Sequence, residues 1–336
     1  MIKQGTTKAA RVAVIGGGTG TYTVLKGLKK YPVHISAIVS MTDSGGSNRV
    51  LRDEFGILPT SDIRQCIVAL ASEDANGIIR ELFTYRYSQG TGISGMTFGN
   101  LFMAALSDIY GSQKKAIKAT CRLLGVGGEV IPVTFDNTHL VAHYENGEKI
   151  LGEHLIDEPV KKNGNQKIVK IEVFPPAKAN PEAINAIRKA DCIIIGPGDL
   201  YTSIICNFVV GGVAKSIRSS AAKKIFIVNL MNKFGQTMGF RSSDYLNEIN
   251  KYLGGEVVDV CLVNRNKTFP KEVLKKYKKA HSEYVVNDLK SNSKLKVVLK
   301  DLVSKNIYRS QKGDKLRRSL IRHDSDKLAK EIVKLI

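Results

Sequence analysis

The stretch VAVIGGGTGTYTVLKGL, Val12 to Leu28, decides the fold. Val12 to Ile15 is an unbroken apolar run, the pattern of a strand buried on both faces in a parallel sheet. Gly16 to Gly18 let the backbone turn and approach a ligand, and Thr19 onward opens a helix to about Lys30 whose free N–H groups favour an anion. Gly17, Gly18, Thr19 and Gly20 are therefore candidate ligand contacts. A second strand, His34–Met41, runs straight into another glycine-bearing polar loop, MTDSGGSNRVLRDEFGILPTSDIRQC. Two such loops at successive strand ends point to a phosphorylated ligand, held beyond the carboxyl ends of an open α/β sheet.

In the second loop Gly45 and Gly46 free the backbone beside Asp43, while Ser44, Ser47 and Asn48 offer uncharged hydrogen-bonding groups. Arg49 and Arg52 supply fixed cations suited to phosphate. Asp43 reads either as a cap of the following turn or as a ligand to a ribose hydroxyl or a hydrated divalent cation. Thr60-Ser61-Asp62 has the composition of a helix cap ahead of Ile63, with Asp62 and Arg64 on the opening turn. A further loop, IIIGPGDLYTS from Ile193 to Ser203, repeats the logic of the first. Gly196 and Gly198 give the turn, Asp199, Thr202 and Ser203 stand at a helix start, and Tyr201 reads as a stacking partner or a half-buried packing residue. Gly99-Asn100 opens an apolar helix, where Asn100 is a cap or a contact.

Several familiar chemistries lack their residues. The dinucleotide pattern G-x-G-x-x-G fails, because Thr21 or Thr23 stands where its third glycine belongs, and no Gly-Lys-Ser/Thr marks a Walker loop. There is no HExxH pair and no GxSxG elbow. The five cysteines are scattered among apolar neighbours without a CxxC pair, which speaks against thiolate metal sites and disulfides.

The 336 residues read as a flexible tail, 1–10, followed by one α/β domain, 11–336. Helical patterns near 62–71, 77–85, 98–110 and 113–124 continue the doubly wound start. Between about 127 and 178 the texture changes to short alternating segments, VIPVTF, THLVAHYENGEKILG and KIVKIEVFP, which read as a β-rich insertion. From Pro181 the α/β rhythm resumes, with strands expected at Cys192–Ile195, Ile225–Leu230 and Val258–Val263. The expected fold is thus a Rossmann-like, doubly wound, mostly parallel sheet with a β-rich insertion. The net charge of +20 is uneven, since residues 267–336 carry 20 Lys and Arg against 8 Asp and Glu. Without interleaved aromatics or a nucleic-acid-binding motif, this basic portion reads as a solvated face or a contact for an acidic partner. A polyanion-binding role remains the reading that the charge alone would support. No apolar run is long enough to span a membrane and no secretory signal is evident, so a cytoplasmic protein is expected, with homo-oligomers and protein partners left open.

VIGGGTG, TDSGGSNRVLRDEFGILPTSDIRQC, FGNLFMAAL, VIPVT, IGPGDLYTSI, NLMN with Gly235-Gln236-Thr237, and the terminal RHDSDKLA resemble, in this order, the CofD/YvcK family. The resemblance implies a Rossmann-like fold and one of two activities. One branch transfers a phospholactyl group to a deazaflavin alcohol, using Mg²⁺. The other, the YvcK branch of gluconeogenesis factors, binds UDP-sugars, with roles in cell shape and growth on certain carbon sources. The runs RDEFGILPTSDIRQC and IGPGDLYTSI are similar to the YvcK branch. Asn229, within NLMN, joins the implied ligand contacts. Two departures stand out: Asp43-Ser44 replaces an Asp-Asp pair, and Asn232-Lys233-Phe234-Gly235-Gln236-Thr237 replaces Thr-Gln-Pro-Gly-Glu-Thr. Each removes a carboxylate, which weakens a Mg²⁺ site. The expectation is a regulatory protein that binds UDP-N-acetylglucosamine or a related UDP-sugar and needs no cofactor; the alternative is a Mg²⁺-dependent transferase with Asp43 as its metal ligand.

Overall fold

A computed structural model describes residues 9–72, 77–159, 164–266, 268–308 and 319–336, with the side chain of Ser47 outside the described set. Nearly all of the expected tail, residues 1–10, falls outside it, and Ala10 already belongs to the first strand. The strands are β1 (Ala10–Gly16), β2 (Val33–Val39), β3 (Glu129–Pro132), β4 (His139–Tyr144), β5 (Lys149–Leu151), β6 (Ile168–Phe174), β7 (Cys192–Ile195), β8 (Lys223–Ile227), β9 (Val260–Asn264) and β10 (Lys296–Lys300). Helices α1 (Gly18–Leu28), α2 (Gly46–Phe55), α3 (Ser61–Leu70), α4 (Gly77–Thr84), α5 (Phe98–Tyr110), α6 (Gln113–Leu123) and α7 (Glu153–Asp157) belong to the first half. The second half adds α8 (Pro181–Lys189), α9 (Cys206–Phe208), α10 (Val213–Ser219), α11 (Ser242–Leu253), α12 (Lys271–Lys279) and α13 (Ser325–Val333).

Seven strands form one sheet in the order β10-β9-β8-β7-β1-β2-β3, and every neighbouring pair is parallel. The apolar runs explain the centre: Val14, Ile15, Ile193, Ile194 and Ile195 are fully buried, as a sheet covered by helices on both faces requires. The chain winds outward from β1 through β2 to β3, then returns to β1's other side at β7 and winds the opposite way. The strand order therefore reverses between β1 and β7, which is where such sheets leave a crevice for ligands.

The segment read as a β-rich insertion divides in two. Its first strand, β3, pairs in parallel with β2 and completes the main sheet, whereas β5-β4-β6 form a separate antiparallel sheet beginning at His139. The motif RHDSDKLA packs rather than faces a ligand. Asp324 caps α13 by accepting from the N–H groups of Asp326 and Lys327, and α13 lies against α1 so closely that a Cβ on Gly27 would stand 2.1 Å from the Ser325 carbonyl oxygen. Among the described residues no helix is long and apolar enough to cross a membrane.

Candidate functional site

The crevice is built by the loops that leave β1 and β7. Gly17 is the N-cap of α1, its side of the turn supplies no side-chain cap and no acidic residue lies in the helix's own first turn, while the Asp62 carboxylate from α3 stands beside this positive end. Close approach, as well as turning, demands the glycines here. A Cβ on Gly20 would lie 1.9 Å from the Pro197 carbonyl oxygen, and one on Gly17 would lie 2.3 Å from Asp62 Oδ2. Gly18 takes a positive φ of 61°, which a side chain would strain. Thr19 and Gly20 continue the first turn, partly exposed. Across the crevice the chain passes Gly196, with φ 72°, and Pro197 to Gly198, whose Cα stands beside Gly17 and Ser203. Asn229, just beyond β8, donates to the Gly198 carbonyl at 2.7 Å, and its Oδ1 is buried without a partner.

The β2 loop forms the next wall. Asp43 accepts from the Gly45 N–H at 2.8 Å through Oδ1 and from the Asn48 side-chain amide at 2.6 Å through Oδ2. Gly46, with φ 52°, starts α2 directly, so the sequence read as an extended polar loop is largely helical, and Ser47 lies in its first turn. Asn48 Oδ1 also accepts from the N–H groups of Thr60 and Ser61. It thereby caps α3, a role expected of Thr60-Ser61-Asp62, and the Thr60 hydroxyl is buried with no partner among the described residues.

Four expected contacts turn away from the crevice. Tyr201 is 1% exposed within a π-helical turn, Leu200–Ile205, and its hydroxyl meets Glu248 on α11; the ring has no open face on which a base could stack. Burial pushes its pKa well above the usual tyrosine value. Arg64 donates to Asn100 Oδ1 at 3.0 Å and to the Phe83 carbonyl at 3.1 Å, while Asn100 donates to Ser61 Oγ at 3.0 Å. Those two side chains tie α3 to α5 from inside, and Gly99 is small because Arg64 and Phe83 press against it. Arg52 donates to the Thr138 carbonyl at 2.9 Å and approaches His139 Nδ1 at 3.0 Å, so its guanidinium braces α2 on β4, and burial lowers its pKa.

Four residues that the sequence did not single out as ligand contacts complete the surroundings: Glu153 and Asp157 from α7, and Lys233 and Gln236 from the loop after β8. Glu153 accepts from the Ser44 N–H at 3.3 Å, and Ser44 Oγ accepts from the His154 N–H at 3.0 Å. Lys233 pairs with Asp157 and, at 2.7 Å, with Asp199. Asp157 also accepts from Gln236 at 3.0 Å and from the Thr202 hydroxyl at 3.1 Å. Burial, then the neighbouring charges of Asp43 and Asp157, holds Glu153 well above the usual carboxylate range, and Asp43 is raised by burial and by Asp157. Burial would raise Asp157 as well, but Lys233 prevails and holds it low. The acids HLIDEP in a β-rich segment were the only visible sign of this helix.

A divalent cation is what the transferase branch implies, with Asp43 as its ligand. Among the described residues no three His, Cys, Asp or Glu side chains are placed to hold one. Asp157 and Asp199 already share an ammonium, and both Asp43 oxygens already accept from nitrogen donors. The donor set does not fit the metal.

An open parallel sheet with a glycine-lined crevice at its switch point defines an α/β protein of the Rossmann type. The pattern of the family described as "2-phospho-L-lactate transferase CofD" matches residues 12–303, and the chain belongs to that family. It is 42% identical to the Thermotoga maritima protein named "Putative gluconeogenesis factor", over 97% of this chain and 99% of the relative. It is 35% identical to the Bacillus subtilis protein named "Gluconeogenesis factor", over 97% and 98%. A crystal structure from Bacillus halodurans superposes with a TM-score of 0.86 at 34% identity, over 97% of this chain and 100% of the other.

Proposed function

We propose that the protein binds a nucleotide-linked ligand, a UDP-sugar such as UDP-N-acetylglucosamine, in the crevice between β1 and β7, and acts through binding rather than turnover. The observation that carries this is the approach of two glycine loops at the switch point, so close that Gly20 admits no Cβ beside Pro197. Gly17, Gly18, Thr19 and Gly20 present α1's opening N–H groups to a diphosphate. Gly196, Gly198 and Ser203 close the opposite side, and the unpartnered Oδ1 of Asn229 offers an acceptor to a donor on the ligand. The near full-length likeness to proteins named gluconeogenesis factors supports a regulatory role in carbon metabolism. Binding without turnover is supported by the donor set, in which no three His, Cys, Asp or Glu side chains among the described residues are placed to hold a cation.

Calorimetric titration with UDP-N-acetylglucosamine, a guanosine diphosphate ligand and a nicotinamide dinucleotide tests this. Saturable heat with the UDP-sugar alone is expected. Preference for the guanosine ligand, together with phospholactyl transfer to a deazaflavin alcohol, would replace the proposal with the transferase.

A further inference from the structure

β2 and β7 flank β1 in the sheet, and a five-residue helix reaches from the loop of one to the loop of the other. Two strand spacings separate those neighbours by about 9.6 Å. A helix of that length spans about 7.5 Å, so α7 with its end side chains matches the gap. At the β2 side it is held by the reciprocal bonds of Ser44 with Glu153 and His154. At the other side Asp157 gathers Lys233, Gln236 and Thr202, from the loops after β8 and β7.

The two attachments differ in kind. At the β2 end the Glu153 carboxyl, raised by burial and by Asp43, shares a hydrogen bond with the Asp43 carboxylate, so no full ion pair holds this end. At the β7 end one half-buried ammonium lies between two carboxylates. The same loop adds packing contacts: a Cβ on Gly235 would stand 2.2 Å from Pro159 Cγ, and the Phe234 ring lies directly against Gly164. Gln236 Oε1 is buried there with no partner among the described residues, and the amide supports Asp157 through its nitrogen.

We infer that Lys233 is a positioning residue that latches α7 across the crevice and so sets how long a nucleotide-linked ligand stays bound. The ligand part of this inference rests on the function proposed above; the latch itself does not. Removing one partner of a charge pair at a closed site acts mainly on dissociation, because the surviving charge is left unpaired.

Lys233→Met and Asp157→Asn break the pair from opposite sides, and should Lys233→Met fail to fold, Asp157→Asn decides. Hydrogen exchange of the unliganded variants, at the amides of residues 153–157, is expected to quicken about ten-fold or more over the unaltered protein. With UDP-N-acetylglucosamine as probe, the dissociation rate is expected to rise about ten-fold while the association rate holds or increases. Unchanged exchange at 153–157 overturns the latch, and so does a loss of affinity carried by association alone. If the unaltered protein does not bind the probe, the proposed function fails, and the exchange measurement by itself decides on Lys233.

Discussion

Asn48 donates its side-chain amide to Asp43 at 2.6 Å, and its carbonyl oxygen accepts from the opening N–H groups of α3. One buried side chain on α2 thus orients the carboxylate of the β2 loop and caps the next helix. Asn48→Ala leaves Asp43 short of a donor and α3 without its cap. A stability loss of about 1–3 kcal/mol is expected in urea denaturation. Asn48→Asp, which sets a second carboxylate against Asp43, is expected to lose at least as much at neutral pH and to recover part of it in acid.

Gly20→Ala forces a Cβ to within 1.9 Å of a backbone oxygen, so α1 and the Gly-Pro-Gly loop must separate. Overpacking of this kind costs about 1–3 kcal/mol, and here it also widens the crevice. Weakened UDP-sugar binding together with a lowered melting temperature is expected. Gly77→Ala is the contrast, because nothing among the described residues lies within 4 Å of its added Cβ. A melting temperature equal to or above that of the unaltered protein is expected there.

Burial holds His323 down at about 4, and its Nε2 has no partner among the described residues. In the unfolded chain its pKa is about 6.5. Between these values the unfolded chain takes up the proton and the folded chain does not, so acid favours unfolding. The neutral imidazole carries no penalty above about pH 6.5, and stability falls as the pH drops from there toward 4. His323→Gln is expected to flatten the fall, read as denaturation midpoints across that range.

Burial raises the pKa of Cys66, pushes the Cys121 thiol up to about 11, and pushes those of Cys192, Cys206 and Cys261 up to about 12. Few thiolates are therefore present at neutral pH. Reaction with a disulfide reagent is expected to be slow in the native state and rapid in denaturant, with the half-buried Cys121 the first to react.

The sheet was legible because its strands are continuous apolar runs and its long helices have strong periodicity. Cys192–Ile195 and Phe98–Tyr110 match their expected bounds residue for residue. The glycine loops were legible because close backbone approach leaves no alternative to glycine. Polar residues beside those loops were harder to place, since a sequence does not tell a ligand contact from an internal brace. Arg52, Arg64, Asn100 and Tyr201 have groups suited to phosphate or a base, yet their partners are protein atoms at the start of β4 and on α3, α4, α5 and α11. Helix α7 was missed because five residues show no periodicity, and Lys233 meets Asp157 across 76 positions of chain.

A crystal structure of the protein with UDP-N-acetylglucosamine tests the central claim most directly. The diphosphate is expected against the N–H groups of residues 17–20, facing Gly198 and Ser203, with α7 closed over it and Lys233 between Asp157 and Asp199. A nucleotide bound away from the β1/β7 crevice, or density for none at saturating ligand, would contradict it.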